Sequence, residues 1–151
     1  DTWWAERLNM PQLTPRWVLQ YWGTDVLRNN FHTDIWVASV ENKLRQTKDD
    51  IVITDCRFPN ELNAVKNAGG ITMRTHRGAE PEWLSEAEAY TRKVQAGLDK
   101  KEYVGHQLVL ELDHSVHASE YSSVGLEYDH YVDNNGTIDE LYKKIDSIIN
   151  L

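Results

Sequence analysis

Apolar residues recur every three or four positions along most of the chain, and run consecutively in a few short stretches. That mixture predicts an α/β fold. Residues 1–10, with Trp3 and Trp4 adjacent, read as the end of a helix, and 11–15 as a linker. Thr14-Pro15 predicts a helix start, because a hydroxyl side chain can accept a first-turn N–H and proline suits the first helical position. Trp17, Val18, Tyr21 and Trp22 continue that helix until Gly23-Thr24-Asp25 interrupts it, with one more turn expected over 26–30. Ile35, Trp36, Ala38, Val40 and Leu44 predict a helix from 35 to about 46, capped by Thr33 or Asp34, and Lys48-Asp49-Asp50 forms a turn.

The pattern then changes. Ile51-Val52-Ile53-Thr54 is a short apolar run bounded by polar residues, which predicts a buried parallel strand. A helix from Pro59 to about Asn67 follows, closed by Ala68-Gly69-Gly70, and residues 71–76 form a second strand. Strand, helix and strand in so few residues predict parallel pairing with a right-handed crossover. Residues 80–104 are rich in Glu, Lys, Ala and Gln, with Trp83, Leu84, Ala87, Tyr90 and Val94 at helical spacing. They predict a helix projecting from the sheet and ending near Gly97 or Gly105. Residues 107–112 form a short strand in this reading, 114–125 a polar loop and 128–132 a further core strand. Asn134-Asn135-Gly136 is a turn, after which Thr137 and Glu140 form a capping box. The last helix buries Ile138, Leu141, Ile145, Ile148 and Ile149.

Composition narrows the function classes. The 151 residues make one domain, 40% hydrophobic, with a net charge of −8. That charge argues against a nucleic-acid-coating surface but leaves room for a local arginine cluster that binds small anions. A lone cysteine, Cys56, excludes an intramolecular disulfide and fits a reducing cytoplasm. No apolar run reaches the roughly 18 residues of a membrane span, and no signal peptide is visible. The chain starts at Asp1 rather than Met, so processing, a fragment or a further leading segment is expected.

Candidate chemistry gathers after the 51–54 run, where ligands sit in open α/β sheets. Asp55 is placed to approach a magnesium ion or its water and Arg57 a phosphate, with Glu61 one helical turn on to orient Arg57. The same residues also suit an N-cap and a surface ion pair. Gln20, Trp22 and Arg28 offer a base-edge reader, a stacking ring and a phosphate clamp around Gly23; a kinked core helix is the other reading. Arg77, beside Arg74 and before Gly78, stands at the carboxyl end of a strand, where it reaches phosphate or remains plain surface. Asp113, His114, His117 and Glu120 resemble a metal cluster, but no cysteine partner and no His-Glu-x-x-His helix accompanies them, so a polar loop capping a nucleotide pocket is the better reading. No Gly-x-x-x-x-Gly-Lys-Ser/Thr sequence is present.

Taken together, these residues resemble a known family. Leu13-Thr-Pro-Arg16, Leu19-Gln20-x-x-Gly23-Thr-Asp25-x-x-Arg28, Asp34-Ile-Trp36, Ile53-x-Asp55-x-Arg57-Phe-Pro-Asn-Glu61, Ala68-Gly-Gly70, His117-x-Ser119-Glu120 and Asn134-Asn-Gly136-Thr resemble the bacteriophage deoxynucleoside monophosphate kinases in order and spacing across nearly the whole chain. The resemblance implies an α/β P-loop kinase fold: a parallel sheet flanked by helices, one nucleotide kinase-like domain over 1–151, and a helical lid at about 78–120. It implies transfer of the ATP γ-phosphate to a deoxynucleoside monophosphate with Mg2+, in the cytoplasm, of the host for a viral protein, with no nucleic-acid or membrane partner and with a homodimer left open. Asp55, Arg57 and Arg77 would be catalytic, Asp55 also serving the magnesium indirectly. Arg16, Gln20, Trp22, Asp25, Arg28, Glu61, His117, Ser119 and Glu120 would bind substrate.

The family begins with a strand and a P-loop lysine that these residues lack. Both act where charge builds in phosphoryl transfer. Either a leading segment precedes Asp1 in the intact protein, or the chain is a truncated form with little transfer activity and an exposed apolar sheet edge. The alternatives are a catalytically deficient nucleotide-binding or assembly module, and a metal-dependent phosphohydrolase built on Asp55, Glu61 and residues 114–120, for which the carboxylates are sparse.

Overall fold

The N-terminal half is built from helices whose ends are written locally. The computed structural model describes residues 2–95, 116 and 118–150. Helix α1 spans Thr2–Arg7 and α2 spans Pro15–Gln20. The Thr14 hydroxyl accepts the Trp17 N–H at 3.1 Å, as the sequence predicts. Beyond Gln20 the chain does not break at Gly23. It widens into a π-helix over Tyr21–Phe31, a winding that often accompanies functional sites. Helix α3 (Ile35–Leu44) follows, with Asp34 at the N-cap position but making no capping hydrogen bond there.

The predicted strand at 51–54 is not one. The segment carries no regular secondary structure, Val52 is 86% exposed, and Ile51 and Ile53 are also exposed. A strand needs a neighbour to receive its backbone hydrogen bonds, and among the described residues no strand pairs with this segment. The apolar run therefore marks a surface that its sequence equips for burial.

Downstream, α4 (Pro59–Asn67) and the turn through Gly69, at φ +77°, match the sequence reading. Strands β1 (Met73–His76) and β2 (His130–Asp133) pair in parallel, Met73 opposite His130 and His76 opposite Asp133. They form a two-stranded sheet, the extent of sheet among the described residues. At the amino end of this pair, Asp129 accepts the backbone N–H of Thr72 at 2.8 Å and its hydroxyl at 2.6 Å. At the carboxyl end, Gly78 donates its N–H to the Asn135 side chain at 2.7 Å, tying the two following loops together.

Helix α5 (Leu84–Gln95) packs through buried Ala87 against Tyr121 and Val124. Tyr121 ends α6 (Ala118–Tyr121), a single turn within residues read from sequence as loop. Helix α7 (Ile138–Ile149) starts with the predicted capping box, Thr137 N–H to Glu140 at 2.8 Å. Its Lys144 reaches back to the Asp133 carbonyl at 2.6 Å. The apolar stripe of α7 is less buried than predicted, since Ile138 and Ile149 are exposed. The expected strand at 107–112, the end of the 80–104 helix, and His114 and His117 lie outside the described residues. None of the helices among the described residues is long and apolar enough to cross a membrane.

Candidate functional site

The site is organised by the chain between Asp55 and Glu61, where an extended segment turns into α4. Pro59 fixes the first turn, and Glu61 two residues later reaches back across the helix start. Its carboxylate accepts the backbone N–H of Arg57 at 2.8 Å and of Phe58 at 3.1 Å. These are donors a helix start otherwise leaves unsatisfied. The other oxygen of Glu61 is held by Arg28 from the π-helix.

Arg28 is the most buried large side chain among the described residues, 1% exposed. One terminal nitrogen donates to the Thr33 carbonyl at 3.0 Å and to the Asn60 side-chain oxygen at 3.1 Å, and the guanidinium lies 3.9 Å from the Phe58 ring centroid. Asn60 also donates to Asp34 at 2.7 Å, so the carboxylate at the α3 start is tied to α4. A buried charge persists where it is paired and hydrogen-bonded. Arg28 meets that condition at its terminal nitrogens, while its Nε, also buried, has no partner among the described residues.

Above this knot lies an open cleft. Its wall is formed by Arg16, Leu19 and Gln20 from α2, Gly23, Thr24 and Arg28 from the π-helix, Trp36 from α3, Asp55, Arg57, Phe58 and Glu61 around the start of α4, and Ser119 from α6. Trp36 is fixed there by its indole N–H, which donates to the Gly23 carbonyl at 2.9 Å. At the mouth, Glu120 accepts from Arg16 at 2.8 Å and from Arg57 at 3.2 Å. Three arginines thus serve one cleft of an acidic protein. A planar guanidinium is the side chain best suited to carboxylate or phosphate.

Behind Asp55 the wall turns apolar, lined by Trp36, Val37, Val40, Leu44, Ile53, Cys56, Ala64 and Val65. Burial pushes the Cys56 thiol up to about 11, and the Glu61 and Asp55 carboxylates push in the same direction. A thiol so placed is protonated at neutral pH and is not a nucleophile.

No group of three His, Cys, Asp or Glu among the described residues is arranged to hold a metal. Asp55 is nonetheless suited to one role. Magnesium is commonly held by one or two carboxylates together with substrate phosphates. Asp55 lines the cleft with no hydrogen bond or ion pair to its carboxylate among the described residues, whereas both oxygens of Glu61 are engaged.

The structure therefore gathers Arg16, Gln20, Arg28, Asp55, Arg57, Glu61 and Ser119 in one wall, with Glu120 at its mouth. Trp22 is exposed and outside that wall, and Asp25 is also outside it, its carboxylate accepting from Asn29 on the same helix at 3.4 Å. Arg77 lies past the end of β1, where Arg74 instead lines a neighbouring hollow with Glu80, Glu120 and Tyr128. His117 is outside the described residues. Trp36 is the aromatic residue in the wall that sequence reasoning assigned only to the apolar face of a helix. The Asp34-Ile-Trp36 motif marks it in sequence, and its hydrogen bond to Gly23 places it in the wall.

Comparison with known proteins agrees with the resemblance. Residues 6–101 match the sequence model of the deoxynucleotide monophosphate kinase family. The deoxynucleoside-5'-monophosphate kinase of Escherichia phage T5 is 29% identical over 106 residues, covering 67% of this chain and 41% of that protein. The chain thus spans about two fifths of the length of that curated relative. No solved structure matches the chain.

Proposed function

The chain belongs to the deoxynucleotide monophosphate kinase family, and on that premise we propose that it serves the transfer of the ATP γ-phosphate to a deoxynucleoside monophosphate, on a P-loop kinase architecture with residues 78–120 as lid, in the cytoplasm where its nucleotides are. The observation that carries this reading is the cleft lined by Arg16, Arg57, Asp55 and Gln20 together.

In-line phosphoryl transfer asks little covalent chemistry of a protein. Positioning and neutralisation of charge supply the acceleration. Arg57, whose backbone is fixed by Glu61, presents its guanidinium to the phosphates. Arg16, which shares a Glu120 oxygen with Arg57, neutralises the monophosphate beside it. Gln20 offers an amide to a base edge, and Trp36, locked by Gly23, offers a flat face. Arg28 touches no substrate in this scheme: its terminal nitrogens are occupied, and it positions Glu61 and through it the loop. Asp55 would help hold the magnesium that accompanies ATP, and the ion would supply neutralisation of phosphate charge. The Asp55 charge would orient the ion and its water shell.

The test is an ATP-dependent assay of the intact protein with each of the four deoxynucleoside monophosphates, followed as diphosphate formed. Turnover of at least one of them is expected, abolished by chelation of Mg2+. Calorimetric binding of a monophosphate without turnover would instead make the chain a nucleotide-binding module.

A further inference from the structure

One oxygen of Glu120 stands between two guanidinium groups from distant parts of the chain, Arg16 at 2.8 Å and Arg57 at 3.2 Å. Arg16 belongs to α2, Arg57 to the loop before α4 and Glu120 to α6. An oxyanion shared by two arginines at the rim of a cleft is the arrangement a phosphate would make there. We propose that the Glu120 carboxylate is a displaceable stand-in for phosphate: it holds Arg16 and Arg57 until a phosphate group of the substrate takes its place. This deepens the kinase reading and rests on it for the identity of the ligand; it makes Glu120 a competitor of the substrate rather than a contact for it.

The contact is built to be given up. The side chains of Arg16, Arg57 and Glu120 are 74%, 47% and 36% exposed. Ion pairs in contact with water hold weakly. A phosphate monoester carries close to two charges and three acceptor oxygens, against one charge and two oxygens for the carboxylate. Exchange therefore favours the phosphate at equal geometry. Nor must the backbone move. Ser119 and Tyr121 on either side of Glu120 are buried, which anchors the α6 turn while the longer side chain between them swings. Glu120 also lines the hollow that contains Arg74, whose pair with Glu80 at 3.6 Å is loose enough for the displaced carboxylate to share.

The exchange lowers apparent affinity by the fraction of time Glu120 occupies the pair. Glu120→Gln and Glu120→Ala in the intact protein should therefore bind inorganic phosphate and a deoxynucleoside monophosphate about three- to tenfold more tightly than the parent, measured by calorimetry. Equal or weaker binding by both variants would overturn the proposal, and weaker binding of the nucleotide alone would make Glu120 a substrate contact. A second measurement needs no variant. In protein labelled with 13C at glutamate carboxylates, phosphate should shift the Glu120 resonance, and an unmoved resonance at saturating phosphate would also refute the exchange. ATP-dependent turnover is followed in parallel: tighter phosphate binding without turnover retains the exchange and rejects the kinase, and turnover with unchanged phosphate binding does the reverse.

Discussion

Arg28 and Glu61 form a pair in which the cation is almost wholly buried and the carboxylate faces two ways, gripping the guanidinium with one oxygen and the backbone of Arg57 and Phe58 with the other. The π-helix and the loop that carries Asp55 and Arg57 are thereby one mechanical unit. Removing Glu61 strands a buried cation, and removing Arg28 leaves a partly buried carboxylate without its counter-ion, losses of about 3–5 kcal/mol where a pair is enclosed. Arg28→Met and Glu61→Gln should each lower the unfolding free energy by about 3 kcal/mol, and the double variant by much less than the sum. Additive losses in chemical denaturation would show that the two side chains act separately.

Much of this organisation could be read from sequence wherever its cause is local. Thr14-Pro15, Thr137 with Glu140, Pro59 and Gly69 each act on backbone groups within four residues, and all of them behave as their chemistry dictates. What was hidden depends on remote partners. The burial of Arg28 follows from Asn60 and Glu61, 32 and 33 residues away. The strand expected at 51–54 needed a neighbour that its own sequence does not specify. Trp22 is expected in the site as a stacking ring beside Gly23, but residues 21–31 wind more widely than an α-helix, Trp22 is exposed, and Trp36 lines the cleft.

The Thr72–Asp129 contact sets an acid limit on the sheet. Hydrogen bonds from the Thr72 hydroxyl and backbone hold the Asp129 carboxyl below the usual carboxylate value. A carboxylate whose value is lowered by folding stabilises the fold above its unfolded value, near 3.8, and loses that contribution as the pH falls through the folded one. Thr72→Val removes one donor at a buried position. It should lower Tm by a few degrees at pH 7 and by less at pH 2, where less of the Asp129 charge remains to be stabilised. An equal loss at both values would assign the effect to packing.

Cys56 should resist thiol reagents. With its value raised from 9.0 to about 11, the thiolate at pH 8 is about a hundredfold scarcer than in the unfolded chain. Labelling of the native protein with an aromatic disulfide should be at least about tenfold slower than in denaturant and should accelerate with pH up to about 11. The same shift means that folding stability is complete below pH 9 and declines as the pH rises toward 11. Labelling at equal rates in the native and denatured chain would contradict the burial.

The exposed apolar run at 51–54 carries a risk of self-association, because an extended segment with unsatisfied backbone groups invites pairing. Val52 is the most exposed member, so a charge there meets no packing constraint. Val52→Lys should leave Tm within a degree or so, the behaviour of surface substitutions, while reducing light scattering at high protein concentration. Unchanged scattering would locate any association elsewhere, with the exposed Trp3 and Trp4 as the next surface to alter.

The loop geometry also separates the chemistry of Arg57 from its structural role. Glu61 pins the loop through the backbone N–H of Arg57, not through its side chain. Arg57→Ala therefore keeps the Arg28–Glu61 knot and the start of α4 and removes only the guanidinium, whose contact among the described residues is the exposed pair with Glu120. Tm should change by no more than a degree or two, while kcat of the intact protein falls at least about tenfold, since electrostatic groups that face developing charge typically contribute that or more. Asp55→Asn keeps volume and removes charge, so it should lower kcat by a similar or larger factor and raise the Mg2+ concentration needed for half-maximal rate. An Arg57→Ala protein with normal kcat would take Arg57 out of the mechanism, whereas a large fall in Tm would show that the side chain, and not the backbone alone, holds the loop.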